Sequence, residues 1–146
     1  MKLIYKLLPV VLFSILLFSG CKKYNEQTFD FSTSAPPYVA LKTYTAKTVV
    51  QGNMLSFSVV VRTAIQEPVA ITYQITGDFS LNGTYILPRN TLEGAVTVSI
   101  PAGTVPSGSS QVTGTLKLVT ATSPNTKIIV GRITPDSEKF SVTVTP

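Results

Sequence analysis

MLSFSVVVR, Met54 to Arg62, decides the fold. Its apolar residues Leu55, Phe57, Val59 and Val61 fall on one parity, and Ser56, Ser58 and Arg62 on the other. Alternation with period two is the signature of a strand buried on one face, because successive side chains of an extended backbone point to opposite sides. The next apolar stretch, PVAITYQIT at Pro68 to Thr76, repeats the pattern. Val69, Ile71, Tyr73 and Ile75 share one face, and Ala70, Thr72, Gln74 and Thr76 the other. Such strands need a second layer to cover their apolar faces.

Further strands of the same kind follow toward the C-terminus. AVTVSI groups Val96, Val98 and Ile100; QVTGTLKLV groups Val112, Leu116 and Leu118, with Lys117 opposite; KFSVTVTP groups Phe140, Val142 and Val144. Between them QGN (51–53), TGD (76–78), LNGT (81–84), PRNTLEG (88–94), PAGTVPSGSS (101–110) and TSPNT (122–126) are rich in the residues that set turn geometry. No helical periodicity interrupts the series. Six or seven short strands at roughly ten-residue spacing predict an all-β, immunoglobulin-like two-sheet β-sandwich with Greek-key connections over residues 38–146. A small closed barrel is the alternative.

Toward the N-terminus the pattern disappears. KKYNEQTFDFSTSAPP, Lys22 to Pro37, has no clear period and ends in Pro36-Pro37, which stiffens the backbone toward polyproline geometry. Residues 21–37 are expected to be a flexible tether, with Phe29 and Phe31 as the alternative start of one more strand. Before the tether, Lys2 and Lys6 precede the apolar run Leu7 to Phe18, as in a secretory leader covering residues 1–20. The run is shorter than the roughly 20 apolar residues a spanning helix requires, and Pro9 interrupts it.

The leader ends in FSGC, Phe18 to Cys21, which resembles the lipobox of bacterial lipoproteins, with Phe18 where that family usually has Leu. The resemblance implies cleavage before Cys21, diacylglycerol on its sulfur and a further acyl group on its amine. Cys21 is the sole cysteine and the chain has no histidine, so neither a disulfide nor a cysteine–histidine metal site is available to it. Two or more acyl chains hold a protein stably to a bilayer, where one does so only marginally. The expected location is the cell envelope, at the outer membrane, with the face left open.

Composition excludes several functions. The formal charge is +5, and the two leader lysines reduce it to +3 after cleavage; apart from the adjacent Lys22 and Lys23, the remaining basic residues are spread singly along the chain. That distribution gives no nucleic-acid footprint. General acid–base and nucleophilic catalysis draw on histidine, paired carboxylates or a reactive thiol. Histidine is absent, Cys21 is expected to carry lipid, and Asp136 with Glu138, read as sharing a strand face in a polar turn, is the one close carboxylate pair in the domain. No catalytic residues and no cofactor are expected.

The run LSFSVVVRTAIQEPVAITYQITGDFSLNGTYILP (Leu55 to Pro88), followed by AVTVSIPAGTVPSG (Ala95 to Gly108), resembles the Calx-β domain. That family is an immunoglobulin-like sandwich found in bacterial surface proteins and animal exchangers. The similarity covers about Thr45 to Gly103, with a weaker tail through Val144. It implies a scaffold whose calcium-binding members use carboxylates before the first long strand, before the Tyr of the next motif, and after the Pro-Ala-Gly strand. Here the first loop, read as KTVVQGN (47–53), has no carboxylate, Gly83-Thr84-Tyr85 lacks the Asp, and no acid follows Gly103 until Asp136. Calcium takes six to eight oxygens, several of them charged. No metal site is expected.

Aromatic rings could form a sugar-stacking platform. Tyr73 belongs with the core face, Tyr85 is expected to brace the crossover through its hydroxyl in the manner of a tyrosine corner, and Tyr38 and Phe79 fall near loops. Tyr44, near an exposed strand end, is the candidate ligand contact. The expected function is a membrane-anchored envelope lipoprotein serving as a non-catalytic structural, adhesion or protein-interaction module. The alternative is a glycan-binding accessory of polysaccharide uptake. The expected partners are the lipid bilayer, through acylated Cys21, and an envelope protein or a glycan.

Overall fold

The computed structural model describes residues 36–131 and 135–146. The leader, Cys21 and the tether up to residue 35 lie outside the described residues. Among the described residues nine strands form two sheets: β1 (Tyr38–Leu41), β2 (Lys47–Val50), β3 (Met54–Val61), β4 (Val69–Gly77), β5 (Leu81–Leu87), β6 (Glu93–Ser99), β7 (Val112–Thr122), β8 (Ile129–Val130) and β9 (Lys139–Thr145). One sheet has the order β6-β3-β1-β8 and the other β2-β9-β7-β4-β5. The strands make two sheets packed face to face, not the closed barrel. The alternating residues Leu55, Phe57, Val59, Val61, Val69, Ile71, Tyr73 and Ile75 point inward, joined from the later strands by Val96, Val98, Leu116, Leu118, Phe140, Val142 and Val144. Phe57 contacts Tyr73 and Phe140 edge to face at 5.6 and 5.9 Å between ring centres, the geometry aromatic quadrupoles favour.

Three expectations need correction. LNGT is not a turn; it opens β5. The reversal happens earlier, at Gly77 and Asp78. Gly77 has φ +145, and a Cβ there would stand 2.6 Å from the Thr113 carbonyl oxygen, so the chain turns where no other residue fits. The Asp78 N–H donates to the Thr113 carbonyl at 2.9 Å, and Asp78 Oδ2 accepts from the Thr113 N–H at 2.8 Å. With the turn fixed there, Gly83 pairs with Tyr73, whose ring lies over the space a Cβ would occupy. The KTVV of KTVVQGN is likewise β2, and only Gln51 to Asn53 turn. Finally, Asp136 and Glu138 belong to a short 3-10 helix, Pro135–Glu138, and not to a strand.

The chain changes sheets twice on the same side. It leaves β1, which is antiparallel to β3, and becomes β2, which is parallel to β9. Later it passes from β8, parallel to β1, through the 3-10 helix to β9, antiparallel to β7. Thus β1 and β8 run together in one sheet and β2 and β9 together in the other, so backbone closes this side of the sandwich. β1 covers only Val59 to Val61 of β3, which leaves Ser56 without a strand neighbour on that side; Lys47 Nζ donates to its carbonyl at 2.6 Å. On the opposite side β5 and β6 are edge strands of different sheets.

Candidate functional site

The carboxylates are dispersed and engaged. Asp78 Oδ2 holds Thr113 through its N–H and hydroxyl, Glu93 pairs with Lys42 at 2.7 Å, and Glu138 pairs with Lys117 at 3.2 Å. Glu67 accepts from the Asn125 side-chain amide, from the Asn125 N–H at 3.0 Å and from the Ser123 hydroxyl at 2.8 Å. These bonds, the Asn125 amide first, hold the Glu67 carboxyl below its ordinary value of 4.5, because each is stronger to the charged form. Glu67 thereby fastens the β3–β4 loop to the segment leading into β8. Among the described residues, no three His, Cys, Asp or Glu side chains gather as a metal-binding group.

Tyr44 lies between β1 and β2 and is 55% exposed. It borders an open groove of about 460 Å³ with Ala46, Thr115, Lys139, Phe140 and Ser141. Lys117 and Lys139 are directly opposite each other on β7 and β9, a like-charge pairing that Glu138 relieves at Lys117. The other aromatics do different work. Tyr73 is buried in the core. Tyr85 is half-buried, and no backbone hydrogen bond to its hydroxyl accompanies it among the described residues, unlike the expected corner. Its ring and Leu87 instead press on Gly94 of β6, where a Cβ would meet the Tyr85 hydroxyl at 2.5 Å. It braces the open side by contact. Tyr38 is half-buried in β1, and Phe79 is half-buried and packs over Gly114. Cys21 lies outside the described residues.

The feature that sequence reasoning missed is the β5 edge. Among the described residues β5 pairs with β4 and with no strand on its other side. Leu81 to Leu87 contain no charge, no proline and no bulge, the usual devices that stop an edge from pairing. Ile86 is 55% exposed on its outer face. The alternation of Leu81, Gly83, Tyr85 and Leu87 was the available signal, hidden by the Asn-Gly pair inside it.

No family model matches the sequence, and no curated protein does. Among solved structures, the crystal structure of the apo-form Calx CBD1 domain is similar, with a TM-score of 0.54 at 12% identity over 76% of this chain and 97% of that one. The fold is Calx-β-like. At this identity the likeness establishes architecture alone. The Calx-β-like sandwich is therefore read for function from its own residues, among them those of the β5 edge and the Tyr44 groove.

Proposed function

We propose that this protein is a lipid-anchored envelope lipoprotein whose sandwich is a non-catalytic protein-interaction module. The observation that carries the interaction reading is the uncharged free edge of β5, because an open row of backbone N–H and C=O groups accepts an added strand. The dispersal of Glu67, Asp78, Glu93 and Glu138 among protein donors supports the absence of acid–base chemistry. The anchor rests on the Cys21 motif. β1 begins at Tyr38, beside Ile129 and the end of β3, at the end of the sandwich that carries the 62–68, 88–92 and 123–128 loops.

Cys21→Ala tests the anchor: the variant is expected as released protein or as uncleaved precursor, and a fully processed membrane protein would overturn lipid attachment. For the interaction reading, Ile86→Lys places a charge on the β5 edge. Cross-linked complexes in intact cells should disappear while the folded amount is unchanged; persistence of the same complexes would remove β5 from the reading.

A second reading, glycan binding, is favoured by Tyr44, an exposed ring over a groove that also carries the Thr115 and Ser141 hydroxyls. Retardation in a polysaccharide gel that Tyr44→Ala abolishes would establish it, and unchanged mobility in every gel would reject it.

A further inference from the structure

We infer that the Tyr44 groove takes an acidic polysaccharide, one whose sugar rings carry carboxylate or sulfate groups, and that Lys139 selects it. The inference rests on the glycan reading of this groove and goes beyond it in naming the charge of the ligand.

Sheet register places the groove. β2 runs parallel to β9 from the pair Lys47 and Val142 onward, so the chain just before β2 brings Tyr44 and Ala46 to the margin of β9. On the outer face of the sheet Thr115 of β7 stands directly opposite Ser141 of β9, and Lys117 opposite Lys139. In the row beyond Ser141, Thr143 stands opposite Thr48 of β2. An exposed ring thus borders a floor of hydroxyls. The ring offers its face to the apolar C–H side of a sugar, and the hydroxyls and an ammonium group offer hydrogen bonds to its polar rim.

Charge then chooses among sugars. Among the described residues that line the groove, Lys139 alone is charged. It faces Lys117 across the strand pair, and like charges directly opposite each other are destabilising. Glu138, its neighbour in the chain, pairs with Lys117 at 3.2 Å and leaves Lys139 without an ion pair among the described residues. Two facing ammonium groups therefore share one carboxylate. A neutral residue at position 139 would avoid the repulsion, and an anionic group in the groove would remove it. The cations nearer the start of the domain are already engaged: Lys42 pairs with Glu93, and Lys47 donates to the Ser56 carbonyl. A neutral glycan would leave Lys139 uncompensated. An acidic one adds a charge-assisted hydrogen bond, roughly twice as strong as a neutral one.

The full chain, in nonionic detergent at low ionic strength, is tested on two matched pairs of immobilised polymers: polygalacturonate with its carboxyl-reduced form, and carrageenan with its desulfated form. At least one acidic member should bind about fivefold or more tightly than its neutral counterpart, and the two pairs tell carboxylate from sulfate. Added salt should weaken the acidic binding and spare the neutral. Lys139→Ala should erase the preference and leave the melting temperature unchanged or higher, since it removes one of two opposed charges. Glu138→Gln should act in the opposite direction and strengthen acidic binding, because it frees Lys117 on the same face. Tyr44→Ala should weaken binding to both members of a pair. Equal affinity within each pair, still abolished by Tyr44→Ala, would overturn acidic selection and leave the glycan reading standing. Acidic binding that Lys127→Ala, in the 123–128 loop, reduces as much as Lys139→Ala would be general charge attraction and would overturn the assignment to Lys139. No binding to any of the four polymers would overturn both the selection and the glycan reading.

Discussion

The two lateral sides of the sandwich are closed by different means. On one side the backbone itself joins the layers, because β1 becomes β2 and β8 becomes β9 while each keeps a hydrogen-bonded parallel companion. On the other side β5 and β6 end their sheets; the 88–92 connection joins them at one end, and Tyr85 and Leu87 lean on Gly94 across the gap. The first arrangement pairs the terminal strands and leaves no long edge. The second shields the core from water with side chains but leaves main-chain groups unpaired along β5. A sandwich built this way is stabilised from one side and available to partners from the other.

The comparison predicts unequal responses to substitution. Leu41, fully buried where β1 leaves its sheet, anchors the closed side. Leu41→Ala should lower unfolding free energy by about 2–5 kcal/mol in chemical denaturation, the range for a truncated core leucine. A loss below about 1 kcal/mol would mean that the terminal strands contribute little to the cooperative fold.

The open side should respond less. Gly94→Val introduces a side chain where Tyr85 and Leu87 already stand, with an expected loss of about 1–3 kcal/mol. Tyr85→Ala in the same chain should recover part of that loss, since the two sites are in contact. Strict additivity of the two substitutions would show that Tyr85 does not brace β6.

The smallest effect concerns the clamp that guides the chain toward β8. Because the Glu67 carboxyl is lowered below 4.5 in the folded protein, its ionised form contributes stability above the unfolded value, and that contribution is lost as pH falls through the folded one. The difference in melting temperature between the parent chain and Glu67→Gln should therefore be full at neutral pH and shrink on acidification below about 4.5. A difference that stays constant through that window would assign the effect to packing and not to charge.

Much of this architecture was legible in advance. Leu55 to Val61 and Val69 to Ile75 announced their faces by alternation alone, since a strand half in water has no other stable arrangement of apolar side chains. The candidate site was legible only in part. Tyr44 could be picked out as an exposed ring, but its groove is made with Thr115, Lys139 and Ser141, remote in sequence. The Asn-Gly of LNGT carried a strong local turn signal that tertiary contacts overruled, because Asp78 bound to Thr113 had already placed the reversal. Tyr73 then covered Gly83 as a ladder partner.

Alternating side chains and turn residues by themselves determined that this protein is all-β and which face each long strand buries. Adjacency was decided only in three dimensions: that β1 and β8 travel together, that β2 lies along β9, and that β5 is left at an edge with Ile86 exposed. The reason is physical. Periodicity reports each strand's environment one residue at a time, whereas an edge is defined by the neighbour it lacks, and that depends on pairings between residues far apart in the chain.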